Sequence, residues 1–254
     1  MKQGQNGEAT RFFEQEALAP YVVKKQRALL CEALPKTRGA TLLEVNCGEG
    51  TFLSLYEERH FDVSASEISP EARANLHEKM PHLEIYAACA EHLPLADGSF
   101  DWVIYHPGKE KIEKCLAECL RVSRQGLIVA FWNSFSLAAV FWKMGGRGRA
   151  WPNAFSAPAI LRIVRALSPH RLVCRSTLGA PVFCWRENSF FSVLNNWPRR
   201  VPMGAWCLVS AEFGRSGLAT PLGLRTAPNI REPLGAMEYS QKNIQTCQKD
   251  EAAQ

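Results

Sequence analysis

The chain has 254 residues, 46% of them apolar and 22% charged, a balance that suits one α/β domain with a sizeable core and excludes a disordered, highly charged chain. Its formal charge of +5 is uneven: residues 1–142 carry −4, residues 143–200 carry ten basic side chains against Glu187 alone, and the rest is neutral. Nine cysteines without paired metal-ligand spacing, behind a polar N-terminus, predict a cytoplasmic protein with reduced thiols, no metal centre and no signal peptide.

Residues 11–34 have apolar positions at helical spacing interrupted by Pro20, which predicts two short N-terminal helices, the second ending before Pro35. Thr41 to Val45 reads as a buried strand, Gly48 and Gly50 turn the chain out of it, and Thr51 to Arg59 returns to helical spacing. A second apolar run, Phe61 to Ser66, ends in Glu67. Ser69-Pro70-Glu71 then opens a helix over 70–79, with Ser69 as N-cap and Pro70 at the first helical position. Strands over 83–88 and 100–105, a helix over 110–122 and a strand over 126–132 complete a regular alternation. This predicts an α/β fold with a doubly wound, mostly parallel, seven-stranded Rossmann-like sheet.

Leu127 to Val140 is the most apolar stretch, but Asn133, Ser134 and Ser136 cut it, so a buried strand running into a loop and helix is expected rather than a transmembrane segment. Gly and Arg dominate from Lys143 to Asn153, which predicts a mobile basic loop. Ser156-Ala157-Pro158 opens another helix, to about Leu167. Strands over 172–178 and 206–213 are expected as an antiparallel closing pair at the sheet edge. Beyond Thr220 the polar composition predicts disorder. One domain is therefore expected over 1–220, with N-terminal helices in 1–39, an inserted basic lid over 133–170, and a tail over 221–254.

The strand, glycine turn and helix start at 41–59 would aim backbone N–H groups outward and let a ligand approach closely. Glu67, ending the next strand, stands where a βαβ unit places a carboxylate beside a ribose, so a nucleoside-containing cofactor is expected. Glu44 lies inside a strand and, if buried, must be paired or face a ligand. A nicotinamide-dependent oxidoreductase shares this plan, but Asn46, Gly48 and Gly50 give N-x-G-x-G in place of G-x-G-x-x-G. The basic block suits an anionic partner, yet no nucleic-acid-binding module is recognisable, and nucleic acid is not an expected partner.

Three features fall in order: T-L-L-E-V-N-C-G-E-G over 41–50, Glu67, and A-E-H-L-P-L-A-D-G-S-F-D-W-V-I-Y over 90–105. Together they resemble the class I S-adenosylmethionine-dependent methyltransferases, most closely the small-molecule group called methyltransferase type 11. The resemblance is specific over 41–132 and weaker over 133–213. It implies methyl transfer from S-adenosyl-L-methionine to a small-molecule acceptor. It also implies that Glu44 and the turn of Asn46, Cys47, Gly48 and Gly50 hold the methionine part of the cofactor, that Glu67, with Ile68 beside it, holds the ribose, and that Cys89, Ala90 and Glu91 lie against adenine. Tyr105 and His106, ending the fourth strand, are expected to face the reacting methyl group, with His106 the candidate base for a hydroxyl or carbon acceptor.

Two residues depart from the family pattern: Asn46 replaces its usual glycine, and Cys89 its usual aspartate. Asparagine tolerates left-handed backbone, whereas cysteine cannot accept from the adenine amino group as aspartate does, so weakened cofactor binding or a non-catalytic binder is the alternative. Arg147 and Arg149 in the lid suit an anionic acceptor, or a lipophilic one presented at an anionic membrane surface.

Overall fold

The computed structural model of the chain describes residues 18–108, 110–144, 151, 154–186, 193, 195 and 200–213. Helix α1 (Ala19–Ala33) starts with Pro20 in its first turn, where a missing N–H costs nothing. Then β1 (Thr41–Val45), α2 (Leu53–Glu58), β2 (Asp62–Ser66), α3 (Pro70–Lys79), β3 (Glu84–Tyr86), β4 (Phe100–Tyr105), α4 (Ile112–Val122) and β5 (Ser123–Asn133) alternate as the sequence predicts. The hydroxyl of Ser69 caps α3 by accepting from Ala72 N at 3.3 Å. Past β5 come α5 (Leu137–Met144), a two-residue strand β6 (Ala154–Phe155), α6 (Ala157–Ala166), β7 (Arg171–Thr177), a 3₁₀ turn (Val182–Cys184) and β8 (Trp206–Glu212). Ser156 precedes α6 as expected but makes no side-chain capping bond. The expected helix before Pro20, the loop bearing Arg147 and Arg149, and the tail over 221–254 lie outside the described residues.

The sheet order is β3-β2-β1-β4-β5-β8-β7, with β6 beside the end of β5, so among the described residues eight strands form where seven are expected. The strands over 171–177 and 206–212 do close one edge as an antiparallel pair; β8, which runs against its neighbours, lies one place in, and β7 is outermost. The strand order reverses between β1 and β4, so loops diverge there and leave a crevice at the carboxyl edge of the sheet. At the opposite edge Asp101 ties β1 to β4: its Oδ2 accepts from Thr41 N at 3.1 Å, and its Oδ1 accepts from Arg124 and Gln125.

Side-chain alternation divides the core. Leu42, Trp102, Ile104 and Ile128 face one layer with α1 and α2, while Leu43, Val103, Tyr105 and Val129 face the other with α4 and α6. Gly50 allows the first layer to close, because a Cβ there would run into Leu76 Cδ2 of α3 and lie 2.7 Å from Leu53 Cδ1 of α2. Among the described residues no helix is long and apolar enough to cross a membrane.

Gly50→Ala combines that collision with a φ of +72°, so it should cost about 2–4 kcal/mol in urea unfolding. Gly39→Ala, at φ +68° with nothing within 4 Å, should cost about 1–2 kcal/mol. Equal costs would show that α2 and α3 do not close on the turn.

The core also holds groups that resist ionisation. Burial pushes the thiols of Cys119 and Cys207 and the phenol of Tyr105 well above their ordinary values. The unfolded chain releases these protons at roughly pH 8.5–10 while the folded chain retains them. The unfolded state then binds fewer protons, so stability is full below that range and falls as pH rises through it. Urea midpoints measured from pH 7.5 to 10.5 should decline steadily; a flat series would contradict the described burial.

Candidate cofactor and active site

Strands β1 and β2 run parallel in register, with Val45 opposite Ser66, so the segments leaving them emerge side by side at the carboxyl edge. Asn46 N and Cys47 N both donate to Ser66 O, at 2.9 and 3.3 Å. Asn46, Gly48 and Gly50 then take φ values of +59°, +58° and +72°, an alternation that exposes backbone on the outer side of the turn. Glu67 is almost fully buried beside them. Its Oε2 accepts from Gly48 N at 2.8 Å and its Oε1 from Ser69 N at 2.9 Å. One carboxylate therefore holds the turn after β1 and the turn after β2 in a fixed relation. Each of its oxygens retains acceptor capacity for a further donor.

Asn46 does more than tolerate a glycine conformation. Its Nδ2 donates to His106 O and to Glu110 Oε1, both at 3.1 Å, and so braces the β1 turn against the loop after β4. The departure from the family pattern is a strut across the crevice.

Alternation explains the second half of the site. Glu44 shares the Leu42 face of β1, and His106 follows Tyr105 onto the Ile104 face of β4, so both meet α2. His106 Nε2 lies 2.8 Å from Glu44 Oε1, which also accepts from Tyr56 OH at 3.0 Å. Glu44 is fully buried and His106 nearly so, and Phe52 stacks on the imidazole with centroids 5.9 Å apart. An ionised carboxylate only accepts, so Nε2 donates to it, and in the neutral ring this leaves the lone pair on Nδ1. Burial, the Glu44 charge and the bond to it push the Tyr56 phenol well above its ordinary value, so the tyrosine remains a donor. Burial, with Glu44 and Glu67 nearby, likewise raises the Cys47 thiol and keeps it neutral. Glu44 Oε2 is buried with no hydrogen-bond partner.

The remaining expected site residues divide. The Tyr105 ring turns onto the opposite face, into the core with Cys115 and Cys119 of α4, and only its backbone borders the crevice. Tyr105 and His106 thus point to opposite sides of the sheet. Cys89 and Ala90 are buried in the segment after β3, where Cys89 bridges to His92. Glu91 is a loop anchor, its Oε1 accepting from Lys111 N at 2.9 Å. Ile68 is half-exposed next to Glu67. Sequence reasoning missed Tyr56, Phe52 and Glu110 as partners. The available signal was Glu44 itself, because an acid inside a buried strand requires donors, and Tyr56 is the apolar-face residue with a polar tip on the helix that follows.

Residues 43–131 match the family described as "Methyltransferase domain". A demethylmenaquinone methyltransferase of Renibacterium salmoninarum is 33% identical over 112 residues, which are 42% of this chain and 47% of that protein. The chain thus spans about half the length of the curated relative it matches. Among solved structures, a SAM-dependent methyltransferase of Thermotoga maritima aligns with a TM-score of 0.61 at 17% identity, covering 80% of this chain and 97% of that one. One from Archaeoglobus fulgidus aligns at 0.55 with 14% identity, covering 75% and 94%. Geranyl diphosphate C-methyltransferase of Streptomyces coelicolor, solved with S-adenosyl-L-homocysteine, aligns at 0.50 with 16% identity, covering 74% and 79%. These structures share the fold, and the family match is confined to residues 43–131. That match supports a class I S-adenosylmethionine-dependent methyltransferase of the type 11 group.

Proposed function

We propose that this protein transfers a methyl group from S-adenosyl-L-methionine to a small, lipophilic acceptor, with His106 as general base. The observation that carries the reading is the pair of buried carboxylates at the crevice, one fixing the turn and one fixing the histidine. The residues fit the cofactor. Glu67 keeps acceptor capacity for ribose hydroxyls, the Asn46–Gly50 turn admits close approach, Ile68 offers an apolar surface, and the unpartnered Glu44 Oε2 suits the amino group of the methionine part. When bound, the cofactor supplies an electrophilic methyl carbon on a sulfonium, already a good leaving group.

The chain's own residues then supply position and one proton acceptor. The Asn46 strut and the Glu67 bridge hold the loops in place, which is most of what an in-line displacement requires. A hydroxyl or carbon acceptor must also lose a proton. His106 Nδ1 takes it, and Glu44 stabilises the resulting imidazolium through Nε2. Phe52 stacks on His106 and lies 5.9 Å from Trp206, which pairs in register with Trp132, so aromatic side chains run from the base along the sheet edge. That apolar border, and the name of the demethylmenaquinone methyltransferase relative, favour a lipophilic acceptor over a charged one.

Saturating S-adenosylhomocysteine, at ~100 times its dissociation constant, should add about 2.7 kcal/mol and raise the melting temperature by roughly 5–10 °C, while nicotinamide cofactors leave it unchanged. No shift at millimolar ligand would remove the cofactor assignment, and a nicotinamide shift would favour the oxidoreductase. Glu67→Gln keeps one acceptor for the turns, loses the charge and sets its amide NH2 against the other backbone N–H. It should therefore lower S-adenosylhomocysteine affinity about tenfold or more and cost about 1–3 kcal/mol of stability. An affinity equal to wild type would place the ribose elsewhere.

His106→Gln retains a donor toward Glu44. It should lower kcat by about 10²-fold or more for a hydroxyl or carbon acceptor, with the S-adenosylhomocysteine shift intact. A shift and a rate that fall together would make His106 a structural residue.

A further inference from the structure

All the exposed large apolar side chains among the described residues fall between positions 135 and 203. Their centre is α5, where Leu137, Val140, Phe141 and Met144 are exposed at the i, i+3, i+4, i+7 spacing of a single helical stripe. The inner side of the same helix, Ala138, Ala139 and Trp142, is buried. A helix bordering water ordinarily presents polar residues outward; here Lys143 is the one exposed polar side chain of the helix.

The stripe is held in place. Ser136 Oγ accepts from Ala139 N at 3.1 Å and caps the helix. Asn133 accepts from Phe135 N through Oδ1 and donates from Nδ2 to Pro202 O and Gly204 O, at 3.0 and 3.2 Å. One buried asparagine therefore joins Phe135, 71% exposed, to the loop carrying Met203, 56% exposed, while the 3₁₀ turn with Phe183 packs against α5. These segments follow β5 and β7 and precede the antiparallel β8, so all of them border the carboxyl edge, the edge that holds the cofactor turns.

The surrounding charge selects the occupant. Lys143 of α5, Arg186 just after the 3₁₀ turn and Arg200 just before the Met203 loop are all exposed. A two-fold contact between copies across this rim would set like charges against one another, whereas an anionic lipid surface takes the apolar stripe into its interface and neutralises the flanking cations. We propose that the rim around α5 docks this protein on anionic lipid bilayers, turning the cofactor crevice toward an acceptor dissolved in the membrane. The acceptor half of this statement rests on the methyl-transfer reading above; the docking half does not.

Co-sedimentation of the full chain with extruded vesicles tests it, using phosphatidylcholine alone and a mixture containing phosphatidylglycerol. Wild type should sediment with the anionic vesicles, and Phe141→Ser/Met144→Ser should lower the partition coefficient tenfold or more. Lys143→Gln/Arg186→Gln should reduce the preference for anionic over neutral vesicles. Wild-type binding should weaken but persist at high salt. The S-adenosylhomocysteine melting shift should be the same in all three proteins, so failure of docking and failure of the cofactor reading are read separately. No sedimentation of wild type, or sedimentation that the Phe141/Met144 variant leaves unchanged, would overturn the proposal. So would a dimer in gel filtration that this variant dissociates without any vesicle binding, since that assigns the rim to a second copy.

Discussion

The bond from Gly48 N to the Glu67 carboxylate is the constraint on which the rest of the site depends. Burying a carboxylate is costly unless strong donors meet it, and here two backbone N–H groups from separate turns do so. The cost explains the geometry. Both turns must present their N–H groups to one small group, which holds the left-handed Gly48 against the end of β2. The parallel pairing of β1 and β2 makes this possible, because it delivers both chain segments to the same edge at the same height.

Glu44 completes the arrangement by contrast. It lies equally deep, yet only one of its oxygens has donors, Tyr56 and His106, and the other has none. An acid with a donor on each oxygen is held in place; one with an unpartnered buried oxygen suits a positively charged ligand group. Asn46 links the two halves, since its amide reaches the carbonyl of His106 and the carboxylate of Glu110. The histidine is therefore fixed at its ring by Glu44 and Phe52 and at its backbone by Asn46 and Val45.

Element positions were legible because local signals agreed: Ser69-Pro70 marks the start of α3, and β1 and β4 have the bounds that hydrophobic runs and glycine punctuation predict. Which face a side chain takes at a strand end was legible only through strict alternation. Pairing Tyr105 with His106 as two site residues overlooked the one-residue step that sends the phenol into the α4 core. Asn46 was legible as a residue for left-handed backbone and Glu91 by family position alone, whereas their side-chain bonds run to Glu110 and Lys111, more than ten residues away in sequence. Long-range contacts of this kind leave no periodic trace. The two-residue β6 is too short to generate a pattern at all. The exposed stripe of α5 was visible as apolar composition, but only its packing shows which face is covered.

One edge of the fold divides into two parts: the two acids and the histidine at the switch between β1 and β4, and the exposed apolar rim beyond β5. A crystal structure with S-adenosylhomocysteine tests this division most directly. The account predicts ribose hydroxyls on Glu67, the homocysteine amino group toward Glu44, and the imidazole of His106 still paired with Glu44. Ligand bound away from Glu67, or a His106 ring released from Glu44 and turned out of the crevice, would contradict it.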